Sequence, residues 1–143
     1  MYDKRNREAF WTKFGQFMAL HPSASGERVS WLNYKTGIRH LNLKIIVEAD
    51  HAYFGIEIPD TTCGVNLYRQ LIDDLPRLSD CSGNNWQTQT LSTGVHAVYQ
   101  ELDGVNVFLQ SDWPAIISFL KPLLICFDAF WTDQRDLYQM IAG

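Results

Sequence analysis

Ile38-Arg39-His40-Leu41-Asn42-Leu43-Lys44-Ile45-Ile46-Val47-Glu48-Ala49-Asp50-His51-Ala52-Tyr53-Phe54-Gly55-Ile56-Glu57-Ile58 is the stretch whose reading decides the fold. Apolar and polar side chains alternate on both sides of Asp50-His51, the period of strands with one buried face. The spacing predicts two antiparallel strands, 38–48 and 52–58. A two-residue loop at Asp50-His51 sets Val47 against Phe54, Ile45 against Ile56 and Leu43 against Ile58. The other face then pairs Lys44 with Glu57 and Glu48 with Tyr53, so one side is apolar and the other carries complementary charge. A slip of two residues keeps the same faces. By the same parity Arg39 shares a side with Leu41 and Leu43, which predicts partial burial and a need for an acidic partner.

Upstream, Phe10, Phe14 and Phe17 recur at i, i+4 and i+7 and predict a helix over 4–20, with Asp3 as its N-cap. The loop 21–26 follows, then a short strand 29–33 and a turn 34–37. Downstream, Asp60 caps a second helix carrying Leu67, Leu71 and Leu75, which ends near Pro76 or soon after. A polar loop is expected over 79–85. Strands 86–91 and 95–102 flank Ser92-Thr93-Gly94. Asp103-Gly104, a hairpin signal, leads into a last strand 104–109 that sets Tyr99 against Phe108 and Val98 against Leu109. Ser111-Asp112-Trp113-Pro114 opens a final helical region with a stripe of Ile116, Leu120, Leu123, Phe127 and Phe130. Pro122 within it predicts a kink or two abutting helices. The expected fold is α+β in one domain, 1–143. Antiparallel sheet comes from two three-stranded units, and the order is helix, three strands, helix, three strands, helix. Thr36-Gly37-Ile38 and Thr93-Gly94-Val95 at matching turns hint at one unit used twice.

The 46% hydrophobic and 13% aromatic shares of the 143 residues argue for a packed globule and against disorder. Cys63, Cys81 and Cys126 are odd in number and widely spaced, which fits neither a disulfide framework nor a zinc site; reduced thiols are expected. No signal-type apolar stretch follows the charged start Met1 to Arg7. The apolar run Ala115 to Trp131 is interrupted by Lys121, Pro122 and Asp128 and reads as a buried helix, not a membrane span. These features together predict a cytoplasmic protein without a membrane partner. Residues 1–44 carry eight basic side chains against three acidic, a balance of +5; residues 45–143 carry four against thirteen, a balance of −9, which makes up the net −4. A basic first third suits an anionic partner, or it lies against the acidic remainder of its own fold or of a second copy.

Tests for catalytic chemistry return little. No glycine-rich phosphate loop and no Gly-x-Ser-x-Gly elbow is present, and His21, His40, His51 and His96 lack ligand partners at helical spacing. A restriction-type nuclease needs an acid-x-Lys on a strand; the residue two after Glu57 is Pro59, and Lys44 reads as its cross-strand salt partner. His40, Lys44 and Glu48 fall on one strand's polar face, which is more simply a solvated face than an acid/base line. Cys63 near a helix N-terminus has no histidine placed beside it by sequence. The clusters Phe10/Trp11/Phe14 and Phe127/Phe130/Trp131 read as core. The turn Trp31 to His40 is the most informative segment, since it crowds aromatic, amide and cationic groups together. Such a turn suits an anion or a base, against the plainer reading of a structural turn. The candidate binding residues are therefore Trp31, Asn33, Tyr34, Lys35, Arg39 and His40, with Lys44 and Glu57 from the hairpin. No catalytic residue, metal ligand or cofactor is indicated.

Several blocks carry a family resemblance. They are Arg7-Glu8-Ala9-Phe10-Trp11, the turn Asn33 to His40, Gly55-Ile56-Glu57-Ile58, Gly104-Val105-Asn106-Val107-Phe108, and Asp112-Trp113-Pro114-Ala115-Ile116-Ile117. Together they resemble the bacterial family called domain of unknown function 4268, over nearly the whole chain. The resemblance implies a bacterial origin and a compact stand-alone domain; relatives fused behind nuclease-like or DNA-associated regions imply at most a supporting role near nucleic acid, and no attached enzyme domain is expected in this chain. It supplies no catalytic residues. The expected function is a non-enzymatic binding or interaction module for an anionic partner such as nucleic acid or for another protein, with a homodimer as one expected form. The alternative is a small enzyme or small-molecule binder with a pocket between sheet and helices, using Glu57, His40 and Lys44.

Overall fold

A computed structural model describes residues 4–83 and 85–143. The expected N-cap Asp3, and residue 84 of the expected 79–85 loop, lie outside the described residues. Four strands form one antiparallel sheet: β1 (Asn42–Val47), β2 (His51–Pro59), β3 (Gln87–Thr90) and β4 (Val95–Asp103), in the order β1-β2-β4-β3. Four helices accompany it: α1 (Lys4–Met18), α2 (Thr62–Asp73), α3 (Leu75–Ser82) and α4 (Trp113–Ala142). The α+β class stands, while the layout of three helices and two three-stranded units is corrected to four helices and one sheet.

The hairpin that anchors the reading has the expected faces and a register slipped by two residues. Val47 lies opposite Ala52, Ile45 opposite Phe54 and Leu43 opposite Ile56. Ala52, Phe54, Ile56 and Ile58 are fully buried, because their face is the one that α2 and α4 roof. On the other face Lys44 stands opposite Gly55 and Glu57 opposite Asn42, so the expected Lys44–Glu57 pair does not form directly. Tyr53 Oη donates to Glu57 instead, at 3.0 Å, and its ring stacks on Tyr99. Gly55 makes this possible: a Cβ there would run into the Tyr53 ring.

Two expected strands, 29–33 and 104–109, do not form. Segment 29–33 is irregular, and β1 begins only at Asn42. The turn before it is tied by side chains: Thr36 Oγ1 donates to the Leu41 carbonyl at 2.7 Å, and Trp131 Nε1 donates to the Thr36 carbonyl at 2.8 Å. Arg39, placed on that turn and not on a strand, is exposed, which overturns its expected burial. Segment 104–109 finds no edge to join, since β4 is flanked by β2 and β3. It turns at Gly104 (φ +77°) and closes the end of the first hairpin. The Gly104 N–H donates to the Asp50 carbonyl and the Val107 N–H to the Glu48 carbonyl.

The helices adjust likewise. On α1 the buried line is Phe10, Phe14 and Met18; Phe17, one residue and about 100° away, faces solvent. Thr61, not Asp60, caps α2, its side chain accepting from the Gly64 N–H at 3.0 Å. Pro76 does not end the helical stretch but opens α3, where a missing N–H costs nothing. Pro122 lies inside a single helix, α4, and not between two abutting ones. It is exposed, and the carbonyl four residues before it belongs to exposed Ser118, within reach of water. Packing of α3 on α4 joins Cys81 to Cys126 in a disulfide, Cα–Cα 5.7 Å, across 45 residues of sequence, which corrects the expectation of three separate thiols.

Thiol titration of unfolded, unreduced protein is therefore expected to count one free thiol per chain, Cys63. Reduction, or Cys81→Ser, should lower the unfolding free energy by up to about 4 kcal/mol, the chain-entropy value for closing a loop of that length. A count of three thiols would show that the crosslink does not form. Gly64→Ala should destabilise by about 2 kcal/mol in urea melts, because the added methyl meets the rigid Pro59 carbonyl.

Candidate functional site

Of the eight residues singled out from sequence, Trp31, Asn33, Tyr34 and Lys44 line one cavity of about 440 Å³. Trp11 of α1, Leu32, and Leu43 and Ile45 of β1 complete its walls. It lies where the first helix and the 31–34 turn stand off from the outermost strand. Alternation along β1 puts Leu43 and Ile45 on one face and Lys44 on the other. A cavity touching all three must run beside the strand's edge.

The turn is held there by a buried carboxylate. Asp128 of α4, 2% exposed, accepts from Ser23 Oγ at 2.8 Å, from the Ala24 N–H at 2.7 Å and from Tyr34 Oη at 2.6 Å. Tyr34 also packs edge-on against Phe127, with centroids 5.7 Å apart. Trp31 Nε1 donates to the His21 carbonyl at 3.2 Å, and its ring lies 6.2 Å from Tyr34. Both polar tips are thus spent on the scaffold, and their rings form the wall. The groups left to meet a ligand are the Asn33 amide, the Lys44 ammonium and the edge of β1.

The other four sequence candidates are not in the cavity. Lys35 and Arg39 are exposed on the turn, and His40 is half-buried just before β1. Glu57 sits on β2 under the Tyr53 hydroxyl. Of Glu57, His40 and Lys44, the polar groups of an enzymatic pocket, only Lys44 reaches the groove. The line His40, Lys44, Glu48 is also broken up, since Glu48 binds Arg7 of α1 at 2.7 Å.

Sequence reasoning missed Trp11, read as core but half-buried at the groove, and Asp128, noted only as an interruption of an apolar run. That interruption was the available signal, because a carboxylate on a buried helical stripe needs donors from elsewhere. It missed a second constellation at the opposite rim of the sheet. His96 stacks on Tyr68, with its Nε2 3.2 Å from Asp60 and its Nδ1 3.0 Å from Thr90 Oγ1. There it ties the β3–β4 hairpin to the start of α2.

Burial, then the hydrogen bond to Asp128, pushes the Tyr34 hydroxyl above its usual range. Tyr138 is raised in the same way, by burial and then by Asp74, to which its hydroxyl donates at 2.6 Å. Tyr53 is raised by burial and by the Glu57 charge. Each keeps its proton to higher pH when folded than when unfolded. The stability they confer is complete below about pH 10 and is lost as pH rises beyond it. Alkaline unfolding should therefore coincide with tyrosinate absorbance, and Tyr138→Phe should make the loss less steep. Asp128→Ala should cost at least about 3 kcal/mol in urea melts, by stranding three donors, and Tyr34→Phe about 1.5 kcal/mol. Equal melts for Asp128→Ala and the parent would remove the clasp.

The profile of a family described as a domain of unknown function, DUF4268, matches residues 6–135, a span that contains every groove residue. Comparison with curated proteins and with solved structures finds no match.

Proposed function

We propose that this chain, which belongs to the DUF4268 family, is a non-enzymatic binding module that takes an anionic partner in the groove between α1, the 31–34 turn and β1. The observation that carries the reading is the groove's composition. Three aromatic rings form its walls, Asn33 is its amide, and the one charged side chain that lines it among the described residues, Lys44, is positive. Among the described residues no acidic side chain lines it, although the chain as a whole is acidic. Lys13, Arg28, Lys35, Arg39 and Lys44 make no ion pair among the described residues, so the positive charge of the first third is available at the surface. Aromatic walls with one cation suit a partner that offers an apolar group next to a carboxylate or phosphate.

Trp11 and Trp31 supply the readout. At low salt, titration with a glutamate-rich peptide or with oligothymidylate should change tryptophan emission saturably, with affinity falling as salt rises. Lys44→Glu should weaken that binding at least tenfold, about 1.4 kcal/mol, while Lys121→Glu on α4 leaves it unchanged. Absence of any salt-dependent response to both probes, or equal losses in the two variants, would sink the proposal.

A further inference from the structure

We infer that the partner is an extended peptide, alternately acidic and apolar, that adds to the sheet as a fifth strand along the free edge of β1; the inference rests on the binding role proposed for this groove. The sheet order ends on β1. The Glu48 N–H donates to the His51 carbonyl at 2.9 Å, which makes 48 and 51 a hydrogen-bonded pair. By alternation, residues 46, 44 and 42 also turn their backbone groups toward β2. Leu43 and Ile45 turn theirs outward. Among the described residues no segment bonds these outward groups. They are also the residues that line the groove, together with Lys44 from the opposite face. The cavity therefore lies where a pairing strand would run.

Its far wall, made of Trp11, Trp31, Leu32 and Tyr34, stands off from that edge by a space of ligand-pocket size. A strand placed there alternates in step with β1. Its side chains next to Leu43 and Ile45 meet apolar surface. Those next to Lys44 meet a cation, and Lys35 follows directly on the wall residue Tyr34. That is the pattern of an acidic-apolar repeat. A nucleic acid strand fits less well: it leaves the outward amides unmatched, and Trp31, 6% exposed, offers no open ring face for stacking. Main-chain pairing supplies affinity in strand addition, and alternate side chains supply selectivity.

The test uses the full chain and a synthetic peptide of alternating valine and glutamate with one central phenylalanine. With the peptide in excess, amide exchange at Leu43 and Ile45 should slow at least tenfold, while Lys44, already bonded to β2, is unchanged. N-methylation of alternate peptide residues in one parity should weaken binding at least tenfold, and in the other parity should not. Binding without protection of Leu43 and Ile45, or equal tolerance of both methylation patterns, would overturn strand addition. So would binding of oligothymidylate but not of the peptide, which leaves the groove's anion-binding role intact. Loss of both would remove that role as well. Replacing glutamate by lysine should abolish binding; undiminished binding would overturn the acidic part of the inference.

Discussion

Asp128 sits in the middle of the most apolar run of the chain with almost no access to water, and a lone carboxylate there would be costly. Its charge is tolerable because three donors converge on it from segments about a hundred residues away: a serine hydroxyl, a backbone amide and a phenol. The same three bonds fix an otherwise irregular stretch of chain. Residues 22–41 contribute no helix or strand, so nothing regular holds them. With Ser23 and Tyr34 gripped by α4, and the Thr36 carbonyl gripped by Trp131, the intervening Trp31 has one place to go. The groove wall is thus a consequence of a polar requirement inside the core.

The device is used twice on the same helix. Asp74, at the joint between α2 and α3, is also buried and also accepts a tyrosine hydroxyl, that of Tyr138. Gln70 donates to the same carboxylate oxygen at 3.1 Å, and Arg77 approaches the other at 3.5 Å. Helix α4 carries the acid in one clasp and the phenol in the other. Its apolar stripe gives most of the burial, while the two polar clasps set where neighbours attach along its length. Hydrophobic contact alone is not directional, so a 30-residue helix needs such marks to fix its partners.

How much of this was legible follows from range. The hairpin faces were readable because alternation is local; the exact pairs were not, because they depend on how 48–51 closes and on the 104–109 segment that bonds to it. Asp103-Gly104 is a genuine turn signal, and the chain does turn there. What local signals cannot report is that β4 already has a neighbour on each side. Val29 to Asn33 looked like a strand, yet Val29 and Trp31 pack on the core as pins on a loop, while Leu32 stays exposed. The turn 31–40 was picked out by its mixture of residue types, and four of the site candidates do meet in one cavity. Trp11, Asp128 and the Cys81–Cys126 crosslink were hidden because each takes its meaning from a segment far away in sequence.

The two edges of the sheet are handled differently, and that contrast bears on what the groove is for. An unpaired edge invites aggregation, and short polar strands are one defence. Edge strand β3 follows that pattern: Gln87, Thr88, Gln89 and Thr90 are all exposed and end after four residues. Edge strand β1 is longer and richer in aliphatic residues, with Lys44 as its single charge. Its protection is a wall of rings set apart from it. A wall packed directly on the strand would have buried Leu43 and Ile45, yet both remain half-buried with space beside them. Aromatic side chains held off from an aliphatic edge leave apolar surface wet on two sides, an arrangement that favours whatever can fill the slot and satisfy the strand's outward amides together.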